Sequence, residues 1–280
     1  MKLDTFYRKA VAAGIARDPR GAEAVRKLLD EERERSKTFD GDERESWQED
    51  RLFNPYADTR ILAGDPSAEV RKVIAGIDMD AAEVMLAHTL NRDRGAGIDL
   101  VLAHHPQGVA LAQLPEVMRV QADMLAAMGV TVSVAEQLLD KRMDEVGRRV
   151  LPGNHGRAVD AARLLGLPMA CVHTPADNCV NTFLEDLFAR EKPARLKDLL
   201  ALLKTVPEYR AAVRRMAGPR IVSGSETGRC GRVSVEMTGG TEGAKSIYES
   251  YAASGVSTVV SMHISEEALE NAKKAHLNVV

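Results

Sequence analysis

Cysteine is scarce in this chain. Cys171, Cys179 and Cys230 are the only three. They show no CxxC spacing and cannot all pair, so a reducing compartment is the simplest setting, and each reads as a plain, partly buried thiol. Aromatic residues are equally sparse, at 4%, which argues against a stacking platform for nucleic acid. Charge of one sign is not in excess: the net charge of -3 exerts no general pull toward nucleic acid or an anionic membrane. Long apolar runs are missing as well. No stretch approaches the roughly 18 apolar residues that span a bilayer, and the N-terminal MKLDTFYRKAVAAGIARDPRG has no long apolar h-region. The expectation is a cytoplasmic protein without membrane or nucleic-acid partners.

What is present suits a soluble globular fold. The 280 residues, 45% apolar and 28% charged, are enough for two packed domains or one large one. Ala22 to Arg35 has helical spacing, with Val25, Leu28 and Leu29 on one side. Lys37 to Asp50 is polar, holds the turn signal Asp40-Gly41-Asp42, and reads as a solvated face. From Tyr56 the texture changes. Arg71 to Ile77 reads as a strand, Asp80 to Thr89 as a helix broken by Gly95 and Gly97, and Ile98 to Ala103 as a second strand. This is a β–α–β unit, which implies parallel strands and a right-handed crossover. Helical stretches follow at Leu114 to Met128 and Val134 to Val150, with a short strand expected at Val130 to Ser133. A helix over Arg157 to Leu165, closed by Gly166, leads into an apolar strand, Leu167 to Val172. Further helices are expected at Cys179 to Arg190, Leu196 to Leu203 and Glu208 to Ala217. The last third repeats the first pattern: strand Arg232 to Met237, Gly-rich turn Thr238 to Gly243, helix Ala244 to Ala253, strand Val256 to Ser261. Lys72 to His104 and Arg232 to His263 thus share a strand–turn–helix–Gly–strand–His order, a weak internal duplication. The expected architecture is α/β, two similar lobes with mostly parallel sheets flanked by helices. The expected parts are a charged helical extension (1–52), a first lobe (53–190) and a second lobe (191–280).

Three strands run directly into histidine: His104 and His105, then His173, then His263. In open α/β sheets, ligand sites form outside the carboxyl ends of parallel strands. Imidazoles collected there can converge, and neutral imidazole is a good ligand for zinc, iron or manganese. On an extended strand, neighbouring side chains point to opposite faces. Where the strand ends at Pro106, both histidines can instead swing around one centre. Two metals roughly 3.5–4 Å apart would use such a pair well. Asp177 follows His173 by four residues and reads either as a ligand or, with Asn178, as a helix N-cap. His88, His155 and His276 read as hydrogen-bonded structural histidines. The turn Thr238 to Gly243 could resemble a phosphate nest but reads as a tight βα turn, since it matches neither the Walker nor the GxGxxG pattern. No Gly-x-Ser-x-Gly elbow occurs, so a serine hydrolase has little support.

Four segments in order resemble one family, the Nif-three-like dinuclear metal-centre hexameric proteins, some of which carry a GTP cyclohydrolase I type 2-like label. Asn54 to Asp65 resembles the family's opening Asp-Asn-x-Gly-Leu-x-x-Gly segment. Ile98 to Pro106 is similar to its Asp-Leu-Ile-Ile-x-His-His-Pro signature. Val172 to Asn181 is similar to its His-Thr-x-x-Asp segment, and Val256 to Glu267 to its later Thr-Gly-Glu-Ile-Ser-Glu segment. The resemblance covers about Phe53 to Val280. It implies metal ligation by His104, His105 and Asp177, with His173 close by; the functional reading takes His173 as the catalytic residue that orients water or carries a proton. It also implies two α/β lobes around a metal cleft, up to two divalent ions per subunit and a ring-shaped homohexamer. Two departures stand out. A Gly-His-x-x-Ser/Thr-Glu/Asp segment expected after Leu277-Asn278-Val279-Val280 is absent, which puts the second metal position in doubt, and His263 stands where the family has glutamate. The expected function is a metal-dependent hydrolase-like enzyme acting on a small nucleotide-like or phosphorylated substrate, with a non-catalytic metal-binding oligomeric scaffold as the alternative.

Overall fold

The computed structural model describes residues 1–280. In chain order the helices are α1 (Leu3–Ile15), α2 (Ala22–Ser36), α3 (Gly41–Ser46), α4 (Ala81–Arg94), α5 (Gly108–Ala112), α6 (Leu114–Val117), α7 (Arg119–Ala127), α8 (Val132–Val150), α9 (Arg157–Leu164), α10 (Thr174–Glu191), α11 (Leu196–Leu203), α12 (Pro207–Arg214), α13 (Tyr248–Ala253) and α14 (Glu266–Lys274). The strands are β1 (Arg60–Ala63), β2 (Val73–Gly76), β3 (Leu100–Ala103), β4 (Met169–Cys171), β5 (Arg232–Glu236), β6 (Val256–Ser261) and β7 (Asn278–Val279). The fold is α/β with mainly parallel pairing, as the sequence predicts. No helix is long and apolar enough to cross a membrane.

Two compact units form. The first comprises Met1–Val120 and Met143–Cys179, the second Gln121–Arg142 and Val180–Val280. The sequence places its divisions after residues 52 and 190 instead. Residues 1–52 sit within the first unit because α1 inserts Leu3, Tyr7 and Val11 into apolar clusters with Val70, Leu100, Ala170 and Tyr56.

The first unit holds a four-stranded sheet of order β1-β4-β3-β2. β2, β3 and β4 are parallel, while β1 runs antiparallel to β4. Alternation along the strands feeds two faces. Leu100, Leu102 and Ala170 pack toward α1. Val101, Ala103, Met169 and Cys171 pack with Val84 and Ala87 of α4 and with Ala158, Val159 and Ala162 of α9. Each fully buried Leu or Val there contributes about 1.5–3 kcal/mol by leaving water. The crossover helix α4 has sharp ends. Asp80 caps it, its carboxylate accepting from the Ala81 amide while Glu83 accepts from the Asp80 amide. Gly95, with φ +58°, closes it in the left-handed region.

The second unit holds a three-stranded, all-parallel sheet of order β5-β6-β7. Val259 faces one side, with Leu125, Ala135, Tyr251, Ala268 and Ala272. Val260 and Val235 face the other, with Leu184, Leu196 and Leu199. The two units repeat the parallel strand–helix–strand order but differ in strand number and in the antiparallel β1.

Local expectations fail in identifiable places. Val130 to Ser133 is not a strand: the Thr131 carbonyl accepts from the Val134 and Ala135 amides and starts α8. Leu114 to Met128 is divided into α6 and α7 at Met118. The helix expected from Ala244 forms only from Tyr248, and α10 starts five residues earlier than expected, at Thr174.

Candidate metal centre

The parallel register of β3 on β4 pairs Val101 with Met169, Leu102 with Ala170 and Ala103 with Cys171. Continued two residues past the strand ends, it brings His105 beside His173. Backbone bonds hold those extensions: the His104 amide donates to the Gly76 carbonyl at 2.9 Å, the His105 amide to Ile77 at 2.9 Å, and the Val172 amide to Ala103 at 3.0 Å. The imidazoles consequently gather, with ring centroids 4.7 Å apart for His104 and His173, 5.3 Å for His104 and His105, and 5.8 Å for His105 and His173. One ring nitrogen from each lies within 4.8 Å of those from the other two.

Each ring is anchored through Nδ1. His104 Nδ1 meets the Val172 carbonyl at 3.2 Å, His105 Nδ1 meets Asp78 Oδ1 at 2.7 Å, and His173 Nδ1 meets Asp58 Oδ2 at 2.8 Å. A carbonyl and two carboxylates are acceptors, so each Nδ1 donates, which in a neutral ring leaves Nε2 with its lone pair. Fixing the tautomer from behind is how proteins prepare histidine for metal. Asp177 sits in the first turn of α10, its amide donating to the His173 carbonyl at 3.1 Å. Its carboxylate lies 3.4 Å from His104 Nε2 and 3.8 Å from His173 Nε2.

The chain is similar to the NIF3 superfamily protein from Sphaerobacter thermophilus, with 26% identity over 80% of each chain and a TM-score of 0.68. The chain has a NIF3-like fold. Reduced HcgD from Methanocaldococcus jannaschii matches with 14% identity over 78% of this chain and 75% of that one, at a TM-score of 0.47. A hypothetical protein from Staphylococcus aureus matches with 13% identity over 79% and 77%, at 0.41. No family model and no curated protein matches the sequence.

In this NIF3-like chain the donor set fits a divalent ion. Ligands about 2.1 Å from a zinc ion lie roughly 3.4 Å apart in a tetrahedron, so nitrogens spread over at most 4.8 Å need only small ring movements. Three imidazoles beside a carboxylate suit zinc, iron or manganese. The electrostatics agree with a site short of positive charge. Burial pushes the Asp177 carboxyl up to about 7, with Asp58 adding to the rise and His173 opposing it. Burial and the neighbouring His173 lower the pKa of His104, which favours its neutral form. Burial works the same way on His173, but the hydrogen bond and charge of Asp58 outweigh it and leave that pKa raised.

Of the residues singled out from sequence, His104, His105 and His173 come together and Asp177 lies against two of them. Asn178 turns elsewhere, its amide nitrogen donating to the Gly14 carbonyl and the Tyr56 hydroxyl, both at 3.2 Å. His263 belongs to the second unit, in the exposed segment after β6, where its carbonyl accepts from the Ser261 hydroxyl at 2.8 Å. His88, His155 and His276 are outside the group, and none is buried. Cys171 is fully buried, and burial pushes its thiol up to about 12, so it is inert. Sequence reasoning missed Asp78 altogether and gave no role to Asp58 or Thr174, which lie in segments the resemblance quotes. For Asp78 a signal existed: it follows β2, a third parallel strand ending on the same edge of the sheet.

Proposed function

We propose that this protein binds a divalent metal ion through Nε2 of His104, His105 and His173, with the Asp177 carboxylate as a further ligand, and that it is a metal-dependent hydrolase-like enzyme. The observation that carries the reading is that one ring nitrogen from each of the three histidines lies within 4.8 Å of the others while each Nδ1 is held by a carbonyl or carboxylate oxygen. His173 takes a ligand role in this reading rather than a proton-carrying one, because Asp58 occupies its Nδ1 and its Nε2 lies on the side of Asp177. When bound, a divalent ion supplies Lewis acidity and lowers the pKa of water toward neutrality. The chain's own residues divide the remaining work. Asp177, only 5% exposed, offsets the ion's charge from the buried side. His105, 48% exposed, leaves the opposite side open to a small substrate, which this reading takes as nucleotide-like or phosphorylated.

Elemental analysis of the purified protein, then zinc, iron and manganese titrations, test the metal. Hydrolysis of nucleotide and phosphoester panels tests the chemistry. Metal bound with turnover supports the full reading. Metal bound without turnover supports a non-catalytic scaffold, and absence of binding refutes both. Light scattering coupled to gel filtration checks the hexamer that the resemblance implies.

A further inference from the structure

The loop before β1 carries a buried carboxylate, Asp58. Asp58 is fully buried, with 0% exposure. Its Oδ2 accepts two hydrogen bonds, from His173 Nδ1 at 2.8 Å and from the Thr174 hydroxyl at 2.6 Å. Its Oδ1 receives the Thr59 hydroxyl at 3.3 Å. Neither oxygen is paired with lysine or arginine. Arg60, two residues on, is engaged by Asp50. A buried carboxylate without a cationic partner is costly unless positive charge is supplied nearby, and the residue able to pass such charge to Asp58 is His173.

We infer that Asp58 is a positioning residue for the metal centre: it holds His173 in the Nδ1–H form and at the ring angle that turn Nε2 toward His104 and His105. The inference rests on the metal-binding reading above. The loop is built to keep Asp58 in place. The Thr59 hydroxyl, besides donating to Asp58, accepts from the His173 amide at 3.0 Å. The Thr59 carbonyl accepts from the Tyr7 hydroxyl at 3.1 Å and from Asn54 Nδ2 at 2.8 Å. The Asp58 carbonyl accepts from the Cys171 thiol at 3.4 Å. His173 is therefore clamped at both its amide and its ring by two consecutive residues of one loop. The clamp also reaches helix α1 through Tyr7, and Gly14 of that helix meets the start of α10 so closely that an added Cβ would lie 2.6 Å from Pro175 Cα.

Because metal ligands lose roughly ten- to hundredfold in affinity without such support, Asp58→Ala is expected to weaken cobalt(II) binding by that factor. Asp58→Asn keeps the side chain's size and serves where the alanine variant does not fold, with a loss of about tenfold expected. Folded variants binding cobalt as tightly as the parent would overturn the inference. A second readout needs no metal: the imidazole nitrogen shifts of His173 in the metal-free protein at alkaline pH, where the ring carries one proton. The expected form is Nδ1–H in the parent, moving toward Nε2–H in the variants. A parent His173 protonated at Nε2 would sink the inference even if metal binds. Failure of the parent to bind any metal would sink the metal reading alone, leaving the tautomer to decide the role of Asp58. Loss of thermal stability without change in tautomer or affinity would mark a merely structural residue.

Discussion

The carboxyl ends of the two sheets make an instructive pair. Both units set parallel strands side by side, and in both a strand runs out into histidine. In the first, β3 and β4 are neighbours in register, so His104 and His105 meet His173 and the next strand, β2, adds Asp78. In the second, β6 leads to His263, but its neighbour β5 ends at Glu236, paired with Ser261. A histidine at a strand end acquires partners only when adjacent strands deliver them at the same height. The second sheet instead places Glu236 against Tyr251, where burial pushes the carboxyl up to about 7, the tyrosine hydrogen bond opposing and Glu242 adding to the rise.

If the two frames are equal and only their ends differ, core truncations should cost alike. Leu100→Ala in the first unit and Leu196→Ala in the second, both at fully buried positions, should each lose about 2–5 kcal/mol in urea unfolding. A much smaller loss in either would show that the units are not comparably packed. The ends should then separate sharply. His104→Ala combined with His173→Ala should lower metal content by about tenfold or more, a loss of about 1.4 kcal/mol or more in binding, by elemental analysis; unchanged content would erase the distinction between the two edges. The second sheet has its own signature. The folded protein keeps the Glu236 proton above the ordinary value of 4.5, so the stabilisation is present below about 4.5 and is lost as pH rises through about 7. Glu236→Gln should remove that slope, roughly 1–3 kcal/mol, and pH-dependent urea unfolding would read it; an unaltered slope would locate the proton elsewhere. The smallest effect belongs to His105→Ala. It should lower metal affinity severalfold while moving stability by about 0.5 kcal/mol or less, as half-exposed positions do, and full retention of affinity would remove His105 from the ligand set.

Much of the frame was legible in the sequence because its strands are compact apolar runs between turn residues. β2, α4, β3, β5 and β6 fall where the pattern puts them. β1 escaped notice because its four residues begin with a buried arginine, Arg60, whose partner Asp50 is supplied by tertiary structure. Val130 to Ser133 misled in the opposite sense: its β-branched residues suit a strand, but no strand lies beside them to pair with. In the site, the histidines at strand ends were readable. Which of those ends lie together was not, since that depends on strand order, and β4 could have bordered any strand. Asp58 lay inside the segment Asn54 to Asp65 that the resemblance singled out, but nothing local marked it as a partner of His173. An aspartate in a Tyr-Ala-Asp-Thr loop acquires meaning only through contact with a residue 115 positions away.

The strand order has a further consequence for how the protein comes to be made. β4 is threaded between β1 and β3, both of which precede it in the chain. A nascent polypeptide leaves that slot vacant until residues 169–171 have emerged and inserted, and only then do His173 and Asp177 arrive opposite His104. Any ion held by these histidines would be captured only after residue 177 has emerged, and a bound metal would report that the first sheet has closed.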